Sequence, residues 1–411
     1  MKVQAPPGTR DILPPEFPLW NRITRTSEEV CELYGYRPIL TPGFEDTEVF
    51  QRTSGAGSDI VRKEMYTFED RGGRSLTLRA EATAPICRAY IEHGLHREPQ
   101  PQKLYTIAPI YRYDRPQKGR YREHRQLSVE AIGSDDPALD AELIQLYVEL
   151  LHRLGVTGYR IELNSIGDRE CRPRYIDGLR AWLTEHDAEL DEDTRTKAQV
   201  SPLRVFDTKN ERVADALAAA PKIGESLCDA CATHFDDVRR YLDSYGVTYA
   251  LRPTLVRGLD YYTRTTFEFI GAELGAQDSL VGGGRYDYLV EQLGGSPTPG
   301  IGFGAGIERL LISLEAIGAA TEQPSLDVYF AYEGGAAREP FLQLMAQLRV
   351  EGRRCDTEYA GRSLKSQIER GYRSGAHSLV VARADGTVEL RRRGEQDRVL
   401  QGLEEVRDAL A

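Results

Sequence analysis

Residues 256–269, VRGLDYYTRTTFEF, bring a guanidinium (Arg257), a carboxylate (Asp260) and two adjacent phenols (Tyr261, Tyr262) into one short segment. The alternating Thr and Phe that follow predict a strand with one polar and one apolar face. Two glycine-rich stretches come next, VGGGRYDYLV (281–290) and GIGFGAGIERLLISL (300–314). The second passes from a strand into an apolar helix that carries Glu308 and Arg309. Glycines let a backbone approach a ligand closely, and arginines beside them suit a phosphate-bearing ligand. The three segments together predict an active site built on β structure.

Working outward, 411 residues are enough for two or three domains. A hydrophobic content of 40% with 28% charged residues fits a soluble globular protein. The opening MKVQAPPGTRDILPP lacks an apolar signal region, and no apolar run is long enough to span a bilayer. Six scattered cysteines do not make a disulfide framework, so a cytoplasmic location is expected. A net charge of −11 argues against gripping nucleic acid by bulk electrostatics. Within that acidic body, RYDRPQKGRYREHR (112–125) sets five Arg and one Lys against two acids. Tyr113, Pro116, Gly119 and Tyr121 interleave with the arginines, which points to a local anionic target and not just a solvated loop.

The rest of the chain divides by texture. Amphipathic spacing predicts a helix over 19–36 and a strong one over 138–156 that stops at Gly155. A strand over 37–45 is interrupted by Pro42, and 76–95 reads as a strand turning into a helix with Glu81 at the junction. Strands over 103–112 and 125–133 form a hairpin with the basic loop at its tip. Residues 169–249 are helical and acidic, with 12 Lys+Arg against 16 Asp+Glu. They read as an insertion, because 250–314 resumes the strand-and-glycine character of 36–133. A small-residue linker is expected over 315–326. Residues 326–411 carry 14 basic and 14 acidic side chains and alternate strand and helix, as a small α/β domain does.

Four long motifs occur in order. TPGFEDTEVFQRTSG (41–55), YRYDRPQKGRYREHRQLSVEAIG (111–133) and GIGFGAGIERLL (300–311) resemble the three motifs of class II aminoacyl-tRNA synthetases. LVRGLDYYTRTTFE (255–268) resembles the signature of the histidyl-tRNA synthetase family within that class. The resemblance runs over nearly the whole chain. It implies an α+β fold: an antiparallel sheet flanked by helices, an inserted helical domain and a C-terminal α/β anticodon-binding domain. The implied boundaries are 1–168 with 250–320 for the catalytic domain, 169–249 for the insertion and 326–411 for the anticodon-binding domain. The implied reaction joins L-histidine to tRNA(His) with ATP, through histidyl-adenylate, in a homodimer whose interface lies near 38–54.

The resemblance also implies residue roles. Arg112, Arg257 and Arg309 would carry the chemistry, with Arg120 assisting at the phosphates and His124 at the adenine. Such a reaction needs positive charge around the activated phosphorus and no protein nucleophile. Glu81, Thr83 and Gln126 would surround the histidine ammonium, Glu130 and Tyr262 would pair with the imidazole nitrogens, and Tyr261 and Tyr286 would complete the wall. Mg²⁺ is expected with ATP because it neutralises the outer phosphates. Arg115 and Gln117 are candidates for contact with the tRNA.

The chain departs from the family pattern at three positions: Ala80 and Ala82 replace a proline and a glycine, and His124 stands where an aromatic, usually Phe, stacks on adenine. If the lost glycine served a positive φ, Ala82 is strained; if it served close approach, a methyl crowds the amino-acid pocket. Cys228, Cys231 and His234 offer at most three ligands on one predicted helix, whereas structural zinc takes four. Ordinary packing is therefore expected there and no metal ligand is assigned. Arg391–Arg393 read either as a tRNA backbone contact or as a charged sheet edge. The main rival function is a catalytically inactive histidine-binding paralogue, the regulatory subunit of ATP phosphoribosyltransferase. That protein usually lacks the last domain and parts of the signatures, which are present here. Other class II synthetases are disfavoured by RGLDYY, and a pure binding module by the arginine and glycine constellation.

Overall fold

The two glycine-rich segments and the basic-tipped hairpin are neighbours in one eight-stranded sheet of this computed structural model. The structure describes residues 2–54, 60–208, 210–271, 279–319 and 325–410. Two compact units divide the chain, Met1–Thr321 and Glu322–Ala411.

In the first unit the sheet runs β1 (Arg37–Pro38), β5 (Gln102–Tyr111), β6 (Glu123–Ile132), β11 (Gly300–Gly306), β10 (Ser279–Arg285), β9 (Thr263–Gly271), β7 (Tyr159–Ser165) and β8 (Ala250–Leu251). The two edge pairings are parallel and every inner pairing is antiparallel. The strands β5 and β6 form the expected hairpin, in register from Gln102 opposite Ile132 to Tyr111 opposite Glu123. A small sheet of β2 (Phe44–Asp46), β4 (Ser75–Leu78) and β3 (Thr67–Glu69) lies in the same unit.

Side-chain alternation gives the large sheet two different faces. Leu127, Val129 and Ala131 of β6, Ile301, Phe303 and Ala305 of β11, and Phe267 and Phe269 of β9 enter one apolar core. Helices Phe17–Leu33, Pro137–Leu154 and Ile307–Ala316 cover that face. The helix Pro137–Leu154 is bounded by local chemistry. Asp136 accepts from the Ala138 N–H at 2.9 Å, proline opens the first turn, and Gly155 ends it at a φ of 79°. The opposite face of the sheet carries glycines and polar side chains.

Residues 169–249 belong to the first unit and contain helices Arg172–Glu185, Glu192–Val200, Glu211–Leu217 and Asp229–Ser244. Val238 and Leu242 of the last helix join the core beneath the sheet. Tyr175, Leu179 and Leu183 of the first pack in one cluster with Tyr261, Tyr262 and Tyr286. Of the expected linker over 315–326, residues 320–324 lie outside the described residues, and the helix Ile307–Ala316 takes up its start.

The second unit has its own five-stranded sheet, in the order β13 (Cys355–Thr357), β12 (Val328–Tyr332), β14 (Ser378–Ala382), β15 (Val388–Arg392) and β16 (Arg398–Leu400). Helices Arg338–Val350 and Leu403–Leu410 cover one face and Leu364–Arg373 the other. Arg391 and Arg392 therefore sit on an inner strand and not on a guarded edge. Arg391 pairs with Glu389 at 2.5 Å, and Arg392 with Glu395 at 3.8 Å.

One buried ion network spans the core of the first unit. Asp140, fully buried on the helix Pro137–Leu154, holds Arg285 at 2.7 and 3.0 Å and His234 at 2.9 Å. Burial pushes the Asp140 carboxyl up, but Arg285 and His234 outweigh it and leave the group below its ordinary range. Removing one partner of such a network leaves an uncompensated buried charge. Asp140→Ala is expected to destabilise the first unit by about 3–5 kcal/mol, read from urea unfolding. A loss below about 1 kcal/mol would show that the network contributes little, as exposed pairs do.

Candidate functional site

On the polar face of the large sheet lies a cavity of about 410 Å³. Its floor is built from absent side chains. A methyl group on Gly282 of β10 would collide with the Arg257 guanidinium, one on Gly302 of β11 with the Glu130 carboxylate, and one on Gly304 with the Gln126 amide. Each glycine is thus the seat of a functional group reaching over from a neighbouring segment. Gly302 and Gly304 lie opposite Glu130 and Ser128 in the ladder, so the seats follow from register and alternation.

Cations gather at one end. Arg112, Arg120, Arg257 and Arg309 all line the cavity. Arg257 pairs with Glu268 at 3.0 Å, and its Nε is buried without a hydrogen-bond partner. Burial would lower the Arg257 pKa, but Glu268 and Tyr262 more than offset this and raise it. Arg309 donates through Nε to the Gly119 carbonyl at 3.1 Å and also bonds the Ser279 carbonyl. Its pKa is lowered, first by burial and then by Arg120, with Arg112 and Arg257 adding to the effect. Such crowding of like charge is relieved by an anion. Arg112 donates to the Ala80 carbonyl at 2.7 Å and has no carboxylate partner among the described residues. Arg120 is held by Asp114 and, at 3.6 Å, by Glu64.

His124 lines the same end, with its pKa driven down to about 3 by burial and by Arg112 and Arg309. It is a neutral ring at ordinary pH, which suits stacking beside phosphates better than a further cation would. Glu308 is pushed up to about 7 by burial, and its carboxylate accepts from the Arg125 N–H at 2.9 and 3.1 Å, tying the helix Ile307–Ala316 to β6.

The other end is a lattice of acids, hydroxyls and phenols. Glu81 accepts from the N–H groups of Thr83 and Ala84 at 2.7 and 2.9 Å, at the start of the helix Thr83–Glu92. Thr83 donates to Glu130 at 2.7 Å, and Tyr286 donates to the other Glu130 oxygen at 2.6 Å. Tyr261 and Tyr262 stand side by side with ring centroids 4.7 Å apart, and Tyr286 meets Tyr261 edge-on at 6.0 Å. Gln126 donates to Ser128 at 2.8 Å. Ala82 has a φ of −104°, so the alanine is unstrained, and it is buried in the cluster that holds the tyrosines.

Most of the side chains singled out in the sequence line this cavity: Arg112, Arg120, Arg257, Arg309, His124, Glu81, Thr83, Gln126, Tyr261 and Tyr262. Glu130 and Tyr286 stand one layer behind, reached through Thr83 and Tyr261. Arg115 and Gln117 are exposed at the hairpin tip, away from the lining. The lining residues that were not foreseen include Glu64, Glu268, Arg204 and Asp207. Glu268, opposite Gly282 in the ladder, falls on the polar phase of the Thr/Phe strand, a signal that was available. Arg204 and Asp207 come from the inserted segment, and nothing in their local sequence marks them.

The sequence model of the family described as "Histidyl-tRNA synthetase" matches residues 8–310. A relative named histidine–tRNA ligase from Halothermothrix orenii is 47% identical over 407 residues, covering 97% of each chain. One of the same name from Caldanaerobacter subterraneus subsp. tengcongensis is 47% identical over 382 residues, covering 93% of this chain and 92% of its own. The crystal structure of apo S. aureus histidyl-tRNA synthetase superposes with a TM-score of 0.82 at 32% identity, covering 100% of this chain and 99% of that one. A structure described as an ATP phosphoribosyltransferase regulatory subunit/histidyl-tRNA synthetase from Bacillus halodurans C reaches 0.67 at 24% identity, over 93% of this chain and 99% of that one, and speaks to the fold alone.

Glu130 generates a pH signature. Burial raises its pKa from 4.5 to about 8. The folded chain therefore keeps a proton that the unfolded chain releases near pH 4.5, and stability falls as pH rises between those values. Glu130→Gln carries no such proton. Its melting temperature is expected to fall less than that of the wild type from pH 5 to pH 8, in ligand-free thermal scans. Parallel profiles would mean that Glu130 is ionised in the folded chain at neutral pH.

Proposed function

The chain belongs to the histidyl-tRNA synthetase family, and from that premise we infer how it joins L-histidine to its tRNA with ATP. Relatives named histidine–tRNA ligase match it over 97% and 93% of its length. The residue roles rest on one observation: Arg112, Arg257 and Arg309 line the same cavity as Glu81, Thr83, Gln126, Tyr261 and Tyr262.

In the first step an oxygen of the histidine carboxylate attacks the α-phosphorus of ATP, the bond to the β-phosphate oxygen breaks, and pyrophosphate leaves. Negative charge on the phosphoryl oxygens falls between Arg112 and Arg257, while Arg309 and Arg120 hold the outer phosphates. His124 stacks on the adenine as a neutral ring. Magnesium enters as part of the substrate, bound to the ATP phosphates. In the second step the terminal ribose 3′-hydroxyl of the tRNA attacks the activated carbonyl and AMP departs.

The ammonium of histidine lies against Glu81, Thr83 and Gln126, and its imidazole against Tyr262, with Tyr261 as the wall and Glu130 and Tyr286 bracing the pocket from behind through Thr83 and Tyr261. A pocket of this polarity rejects apolar side chains, because a misfit leaves buried hydrogen-bonding groups unpaired. Residues 1–168 and 250–320 act as the catalytic domain, 169–249 as the insertion and 326–411 as the anticodon-binding domain. Arg115 and Gln117, exposed at the hairpin tip, reach the acceptor end of the tRNA. Exposed Leu40, Phe44 and Phe68 on and beside the first motif support a homodimer, and the working compartment is the cytoplasm. The regulatory-subunit reading is less supported, since the arginine set it would not need is complete here.

Histidine-dependent ATP–pyrophosphate exchange tests the reading. Purified protein is expected to exchange with histidine and not with proline, and histidinol, which lacks the attacking carboxylate, should inhibit. Arg257→Ala should lower kcat by about 10²–10³-fold. Gly282→Ala should reduce exchange in the same direction, because its methyl occupies the seat of the guanidinium. Background exchange in the wild type would overturn the assignment.

A further inference from the structure

Outside the cavity, Asp168, Cys171, Cys228 and Cys231 present one carboxylate oxygen and three sulfurs that all lie within 4.8 Å of one another. His234, which completes the sequence motif with Cys228 and Cys231, turns away to Asp140 at 2.9 Å. A residue pair from the other end of the inserted segment takes its part. We propose that Asp168, Cys171, Cys228 and Cys231 form a tetrahedral site for a structural Zn²⁺ ion, which staples the two ends of the insertion together beside the Tyr261–Tyr262 wall.

The ligand set and its spacing fit. Tetrahedral zinc with Zn–S near 2.3 Å and Zn–O near 2.1 Å sets ligand atoms roughly 3.5–3.8 Å apart. Side-chain rotations of about 1 Å close the remaining gap, within what a metal site draws together on binding. Thiolate-rich sets favour zinc over the hard divalent ions. Binding releases the three thiol protons to solvent and changes no oxidation state. Cys228 is only half-buried, which leaves an entry path.

The backbone is folded around these atoms. The N–H of Asp168 donates to the Cys171 sulfur at 3.4 Å, and the N–H groups of Glu170 and Cys171 donate to Asp168 Oδ1 at 3.0 and 3.4 Å. Gly167 turns at a φ of 64°, and a Cβ there would meet the Cys171 sulfur at 2.6 Å. On the other side, Cys228 stands immediately before the helix Asp229–Ser244 and Cys231 in its first turn, one turn apart on one face.

A shell of positive charge surrounds the set. Three thiolates and a carboxylate exceed the ion's charge by two. Arg264 lies 3.5 Å from Asp168 Oδ2, held at a φ of 45°, which is costly for a residue with a side chain. Arg172 donates to the carbonyls of Gly167 and Tyr262 at 3.0 and 2.7 Å. Through Arg172 and Arg264 the site acts as a positioning element for Tyr262. This last consequence rests on the proposed role of Tyr262, whereas metal content does not.

The full-length chain, purified under reducing conditions without chelator from zinc-supplemented medium, is the material for the test. About one zinc per chain is expected by elemental mass spectrometry. Exchange into Co²⁺ should give the charge-transfer and visible bands of a tetrahedral thiolate site. Cys228→Ser should lose those bands, and Asp168→Asn should bind Co²⁺ at least about tenfold more weakly. Chelation of the wild type should raise KM for histidine more than it lowers kcat. Should Cys228→Ser fail to fold, cobalt exchange in the wild type decides. The proposal falls if the wild type holds no zinc and shows no cobalt bands. It also falls if Cys228→Ser keeps its full metal content, if iron replaces zinc, or if freshly isolated chain carries a Cys228–Cys231 disulfide.

Discussion

The site depends on space that the glycine strands leave open. On β10 and β11, Gly282, Gly302 and Gly304 occupy the polar face, and the volume a side chain would fill there is taken by Arg257, Glu130 and Gln126. The alternate positions, Val281, Ile301, Phe303 and Ala305, are bulky or apolar and anchor the sheet to its helices. The same two strands therefore hold the core from one side and open a floor on the other. Strand glycines usually weaken a sheet, and here they are flanked by antiparallel ladders on both sides that keep the register.

That floor carries concentrated charge, which must be held without collapsing on itself. Arg257 is restrained by Glu268, Arg120 by Asp114 and Glu64, and Arg309 by two carbonyls. These partners hold the arginines close together. At the opposite end the acids are held in their own way. Glu81 is fixed by backbone amides and Glu130 by two hydroxyl donors. The cavity differs from end to end, with arginines gathered at one end and acids, hydroxyls and phenols at the other.

The inserted segment is part of this design. Its first helix shares a core with Tyr261, Tyr262 and Tyr286, its last helix reaches Asp140 through His234, and Arg204 and Asp207 extend to the cavity. Both of its ends meet at the cysteine cluster. A segment that reads as an independent insertion by composition is bound to the pocket by packing and buried ion pairs.

Much was determined by local pattern alone. The alternation in 256–269 and 300–306 set the strands and their faces, Asp136, Pro137 and Gly155 bounded a helix, and four ordered motifs identified the family and the arginines of the site. These signals are short-range, so they are written in neighbouring residues. Tertiary structure decided what depends on residues far apart in the chain. It set Glu130 and Tyr286 behind the lining and relieved Ala82 of strain. It also brought in Arg204 and Asp207, moved Arg391 to an inner strand, and replaced His234 with Asp168 and Cys171. Those outcomes follow from strand order and from the packing of the insertion, which bring together groups whose separation along the sequence carries no periodic trace.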